Sequence, residues 1–109
     1  VPDEPLSAPA RSLAAFQRHL AGLYGAKDAA RGDAATFLWF IEEVGELATS
    51  LRSGSTEETA REMADVLAWL VSLANLRGID LEAAAWQKYG LACPGCQNLP
   101  CTCKLADKP

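Results

Sequence analysis

The sequence predicts an all-α protein. Apolar residues recur at helical spacing through most of the chain, and Gly and Ser interrupt them where helices would end. No apolar–polar alternation runs beyond a few residues, so strands have no signal. The chain is 109 residues long, enough for one small domain. The expected organisation is a loose arm over residues 1–11, a four-helix unit over 12–90 and a Cys-rich tail over 91–109.

The elements follow in order. The arm is Pro-rich and has no apolar period. A first helix starts near Pro9 or Ser12 and carries Leu13, Phe16, Leu20 and Leu23/Tyr24, with Gly25 as its stop. Ala26–Asp33 (AKDAARGD) reads as a polar, solvated connection. A second helix runs from about Ala35 to Arg52, with Phe37, Phe40, Ile41, Val44, Leu47, Ala48 and Leu51 in one stripe. Ser53-Gly54-Ser55 closes it, and Thr56 is the expected N-cap of the next helix. That third helix spans about Glu57 to Leu76, with Met63, Val66, Leu67, Leu70, Val71 and Ala74 inward and Gly78 as its end. Asp80 caps a short fourth helix, Leu81 to Tyr89, which Gly90 stops. Helices this apolar usually bury a second face against another subunit, so a homo-oligomeric bundle, dimer or tetramer, is expected.

Composition narrows the partners. Asp and Glu outnumber Lys and Arg by 14 to 10, a net charge of −4. An acidic surface argues against non-specific binding to nucleic acid or to anionic membranes. Half the residues are hydrophobic, which argues against a disordered chain. No apolar run approaches the length of a membrane span. VPDEPLSAPA lacks the basic and apolar regions of a secretory signal. The four Cys all lie between 93 and 103, unlike the spread of a disulfide-stapled secreted domain. A cytoplasmic protein is expected.

Acidic residues carry the strongest chemical signal. Glu42, Glu43 and Glu46 lie on the second helix, Glu62 and Asp65 on the third. Glu43/Glu46 and Glu62/Asp65 are both i, i+3 pairs, so each pair shares one helix face. If the two helices pack antiparallel through the 53–56 turn, the pairs face each other. Carboxylates that close repel by about 4 kcal/mol per pair at 4 Å in an effective dielectric of 20. Oxygen-only ligation with no His nearby points to Mg²⁺ or Mn²⁺ as the neutralising ion. Such an ion would let an acidic cleft hold phosphates. Gly45, inside the second helix, marks either a close helix crossing or room for a phosphate or a metal's water. Trp39 precedes Glu43 by one turn and can stack on a base or pack in a core or subunit interface. Trp69 follows Asp65 by one turn with the same two readings.

These residues resemble a known family. FLWFIEEVGEL (37–47) followed by REMADVLAWLVSLANLRGIDLEAA (61–84) is similar to the MazG-like nucleoside triphosphate pyrophosphohydrolases, whose motif is E-E-x-x-E, a gap, then E-x-x-D. The resemblance covers about residues 12–90. It implies an all-α fold assembled as dimers or tetramers, and Mg²⁺-dependent cleavage between the α and β phosphates to a nucleoside monophosphate and pyrophosphate. Carried over by position, Glu43, Glu46, Glu62 and Asp65 would be metal ligands. Glu42 would be a further ligand or orient the attacking water. Asn75 and Lys88 would contact substrate. Relatives continue the fourth helix with further basic residues, whereas here Gly90 stops it. The rear phosphate contacts would then come from Lys27, Arg31 or a neighbouring subunit.

The tail reads Cys93-x2-Cys96-x4-Cys101-x-Cys103. Four thiolates so closely spaced suit one tetrahedral Zn²⁺ in a structural role, with redox cysteines or a metal-free tail as the alternatives. Other chemistries lack their motifs: there is no P-loop and no G-x-G-x-x-G. His19 is the only His and reads as a surface residue; ferritin-like di-iron sites need two Glu-x-x-His. The expected function is therefore metal-dependent hydrolysis of a (deoxy)nucleoside triphosphate, in nucleotide-pool house-cleaning. The alternative is a non-catalytic nucleotide- or metal-binding module whose tail recruits a partner.

Overall fold

The computed structural model describes residues 11–108. Four helices make up its regular structure: α1 (Leu13–Arg31), α2 (Asp33–Ser53), α3 (Thr56–Leu76) and α4 (Leu81–Tyr89). There are no strands among the described residues. The arm expected over residues 1–11 lies, apart from Arg11, outside the described residues.

Helix α1 corrects the sequence reading. Gly25 does not stop it, and Ala26–Asp33 is not a loop; the helix continues to Arg31. An interior Gly costs only about 1 kcal/mol relative to Ala. The alanines at 26, 29 and 30 favour helix, and Asp28 packs inward at 1% exposure. The Ser12 side chain caps the start, accepting from the Ala15 N–H at 3.1 Å. The true break is Gly32, whose φ of 83° is left-handed and favours Gly. This single residue ends α1, its N–H donating to the Asp28 carbonyl, and begins α2.

Helices α2 and α3 form the main hairpin and share the most extensive packing. Gly54 permits the sharp exit from α2: a Cβ there would lie 2.9 Å from the Ser50 carbonyl oxygen. Ser55, and not Thr56, is the N-cap of α3, its side chain accepting from the Glu58 N–H. Ser55 and Glu58 match the S-x-x-E pattern of a capping box, one residue before the N-cap expected at Thr56. The helix ends as expected at Gly78, in a Schellman arrangement: the Ile79 N–H donates to the Ala74 carbonyl and the Gly78 N–H to that of Asn75. Asp80 caps α4 through the Ala83 N–H, as expected.

Gln17 ties α1 to the α3–α4 turn. Its side-chain amide donates to the Ile79 carbonyl and accepts from the Leu81 N–H, while its backbone carbonyl accepts from Asn75 Nδ2. Glu82 accepts from the Ala14 N–H in the first turn of α1. Helix α4 therefore packs mainly on α1.

The core is thin. Leu20, Val71 and Ala74 are the buried apolar residues, with Asp28, Thr36, Ser50 and Ser72 buried beside them. Of the residues expected inward on α3, Val71 and Ala74 are buried and Val66 is half-buried, but Met63, Leu67 and Leu70 are exposed. On α2, Phe37, Ile41, Val44 and Leu51 are exposed too, so much of the apolar stripe is uncovered within one chain. The radius of gyration is 16.4 Å, against roughly 13 Å for a compact domain of this length.

Candidate functional site

The antiparallel hairpin sets the register of the site. Trp39 lies opposite Trp69, Glu46 beside Glu62, and Ser50 beside Thr59. Glu43, Glu46 and Glu62 each bring a carboxylate oxygen to within 4.8 Å of the others. Helical i, i+3 spacing aligns the first two, and the hairpin supplies the third. Asp65 is outside that closest group, but its charge acts on both Glu43 and Glu62. Glu42 is exposed on α2 and does not join them.

Electrostatics at the cluster is unfavourable as it stands. Glu43 is pushed up to about 7, first by burial and then by the charges of Glu46 and Asp65. Glu62 is raised for the same reasons in the same order. Oε2 of Glu43 and Oε2 of Glu62 are buried and have no hydrogen-bond partner. Buried polar atoms are nearly always partnered, and ionised carboxylates accept only. Two orphaned acceptors in one acidic group are what a hard cation with oxygen ligands would satisfy.

One cleft borders the cluster and a second lies beside Asp65. The first, of about 430 Å³, includes Glu46, Glu62, Ser50 and Arg61 in its wall. The other, of about 340 Å³, is lined by Asp65 and Trp69 from α3 and by Tyr24, Lys27, Asp28 and Arg31 from α1. Trp39 stacks on Trp69, with centroids 6.2 Å apart and planes 22° from parallel. The Arg31 guanidinium lies 4.9 Å from the centroid of the Trp69 ring. Arg31 also donates to Asp28 Oδ1 at 2.9 Å and to Thr36 Oγ1 at 3.2 Å.

Sequence reasoning missed this Asp28–Arg31–Thr36 joint because it took 26–33 for a loop. The i, i+3 Asp28/Arg31 pair among alanines was the available signal. Gly45 has nothing within 4 Å of where a Cβ would stand, so there is no close helix crossing at it among the described residues. His19 is exposed, as expected. Asn75 is tied to Gln17 and lines a separate cavity with Gly78 and Asp80, away from both carboxylate clefts. Lys88 sits at the end of α4, 5.5 Å from the Tyr89 ring centroid, and lines neither cleft.

The tail brings all four cysteines together: one sulfur from each of Cys93, Cys96, Cys101 and Cys103 lies within 4.8 Å of the others. All four are free of disulfides. Cys96 is pushed down to about 5, chiefly by the Thr102 backbone N–H, and Cys103 up to about 12 by hydrogen bonding with Cys101 and Cys93.

Paired acidic motifs on an antiparallel helical hairpin define an all-α protein with a carboxylate group that could hold a metal ion. The family model of the MazG nucleotide pyrophosphohydrolase domain matches residues 31–96, more than half of the chain, and the chain belongs to that family. No curated protein matches it. Among the described residues, no helix is long and apolar enough to cross a membrane.

Proposed function

We propose that this protein hydrolyses a (deoxy)nucleoside triphosphate between the α and β phosphates, releasing the monophosphate and pyrophosphate, in nucleotide-pool house-cleaning. The observation that carries the reading is the group of Glu43, Glu46 and Glu62 with two buried, unpartnered oxygens. Family membership supports the reaction class. The donor set fits Mg²⁺, with Mn²⁺ as a substitute: carboxylate oxygens, no nitrogen or sulfur, and an unmet need for positive charge. Glu43, Glu46 and Glu62 would hold the ion, with Asp65 completing the set. When bound, the ion polarises phosphoryl oxygens and offsets the repulsion between an acidic cleft and a triphosphate.

The chain's own residues supply the rest. Glu42, exposed one position before Glu43 and outside the closest carboxylate group, would orient the attacking water only if substrate or a second subunit brings that face of α2 to the site. The partly exposed face of Trp39 offers a stacking surface to the base. Lys27 lines the cleft beside Asp65, where it would meet the rear phosphates of a bound triphosphate. Asn75 and Lys88 would reach substrate only where subunits or helices come together differently from the single chain.

A homo-oligomer, dimer or tetramer, belongs to the same reading. The exposed Phe37, Ile41, Val44 and Leu51 of α2 and Met63, Leu67 and Leu70 of α3 make an apolar face suited to a second copy. The helical unit 12–90 carries the site, and the free thiols of the tail suit a cytoplasmic setting.

The test is pyrophosphate release with Mg²⁺ and then Mn²⁺ across standard and damaged (d)NTPs, with Glu43→Ala and Asp65→Ala alongside. The expected outcome is metal-dependent release, with a monophosphate product, lost in both variants. No turnover on the panel from folded, metal-loaded protein would favour a binding module instead.

A further inference from the structure

We infer that residues 91–108 form a separate metal module: a structural tetrathiolate zinc site on which the fold of the tail depends. The sulfur geometry is the first support. A regular tetrahedron with Zn–S bonds of about 2.3 Å places neighbouring sulfurs about 3.8 Å apart. Here Cys93 and Cys103 are 3.7 Å apart and Cys96 and Cys101 are 3.9 Å apart. These are two opposite edges of such a tetrahedron, and the other sulfur pairs also lie within 4.8 Å. The same separations are far too long for a disulfide.

Backbone amides converge on the sulfurs as well. The Gly95 N–H donates to Cys93 Sγ, Thr102 to Cys96 Sγ and Cys103 to Cys101 Sγ, each at 3.3 Å. Such donors hold ligands in orientation and spread the negative charge of thiolates bound to a metal. With four protein ligands the coordination shell is closed, which is the arrangement of a structural and not a catalytic zinc.

Apart from local hydrogen bonds, no regular structure or apolar core holds the segment together. It contains no helix or strand. Leu91, Leu99 and Leu105 are 93%, 82% and 104% exposed, so it buries none of its large apolar side chains. Its hydrogen bonds are local, such as Cys93 N–H to the Asn98 carbonyl and Asn98 Nδ2 to Thr102 Oγ1. A chain with no core cannot offset its ordering entropy. In this segment metal binding is folding. The helices, by contrast, contribute no ligand, so they stay folded when the ion leaves.

The experiment uses the full chain purified without chelator. Elemental analysis should find about one zinc per chain, and Co²⁺ exchange should give the intense charge-transfer and visible bands of tetrahedral thiolate cobalt. Cys96→Ser and Cys103→Ser should each weaken zinc retention by at least about tenfold, with helical circular dichroism unchanged. Stripping the zinc should make 91–108 rapidly cleavable by protease and leave the helical body resistant. Iron in place of zinc, native disulfides, or well under one zinc with four reactive thiols would overturn the site. A tail equally resistant with and without the ion would overturn its role in folding. None of these readouts depends on nucleotide hydrolysis, so this inference and the proposed activity fail independently.

Discussion

Glu43 on α2 and Glu62 on α3 each bury an unpartnered Oε2 in the same acidic group, brought together by the hairpin that turns at Gly54. Neither helix alone accumulates enough carboxylate to need a counter-ion. Facing each other they do, and the strain of that juxtaposition is the source of the first two predictions.

Replacing Glu62 by Gln removes one of the like charges that raise Glu43. Without divalent metal, Glu62→Gln should melt no lower than wild type. Mg²⁺ should raise the Tm of wild type strongly, by mass action worth about 2.7 kcal/mol at a hundredfold excess over Kd. It should raise that of Glu62→Gln much less. Pyrophosphate release should fall by at least about tenfold, since even outlying partners of a metal ligand cost that much. Equal metal-induced shifts by differential scanning fluorimetry would remove Glu62 from the ligand set.

The pH dependence follows from Glu43, held at about 7 against an ordinary 4.5. A carboxyl whose pKa is raised on folding binds its proton more tightly in the folded state. Its contribution favours the fold at low pH and is lost as pH rises from about 4.5 to about 7. The metal-free chain should therefore lose stability across that window, and Glu43→Gln should flatten the loss. Mg²⁺, which needs the ionised carboxylate, should stabilise more at the upper end than at the lower. Parallel melting curves for wild type and Glu43→Gln would count against this account.

At the α1–α2 joint, Asp28 is buried and accepts from Arg31, which in turn donates to Thr36. Asp28→Ala should destabilise by about 1.5–3 kcal/mol, the range for hydrogen bonds to charged groups. Asp28→Asn, which keeps an acceptor, should cost less. Chemical denaturation of both variants checks the order; equal costs would mean that the joint is not held by this bond.

Base stacking predicts a split in kinetics. Trp39→Ala should raise KM with little change in kcat, by the equivalent of about 1–3 kcal/mol, roughly fivefold to over a hundredfold. A fall confined to kcat would instead assign Trp39 to positioning the carboxylates through Trp69.

The uncovered face of α2 predicts the assembly. Ile41, half exposed at 48%, is the test position. Ile41→Lys should lower the mass seen by light scattering toward that of one 11.6 kDa chain, because a Lys is costly at the centre of an apolar interface. A wild-type chain that already runs as a monomer would sink the oligomer.

Local chemistry determined much of this protein in the sequence itself. Asp80 and Gly78 act where their cap and turn chemistry placed them, because those bonds span only a few residues. The acidic spacing on α2 and α3 was likewise legible, since i, i+3 positions share a face in any helix. Only tertiary structure decided what crosses between helices. Packing against α3 carried α1 through Gly25 to Arg31 and buried Asp28, overriding a local stop signal worth about 1 kcal/mol. The hairpin register chose Glu43, Glu46 and Glu62 as the closest carboxylates and left Glu42 at the surface. It also stacked Trp39 on Trp69, while Gln17 drew Asn75 away to the α3–α4 turn. Spacing along a chain states which side chains share a face; which faces meet depends on the burial each packing achieves, and that is a property of the folded whole.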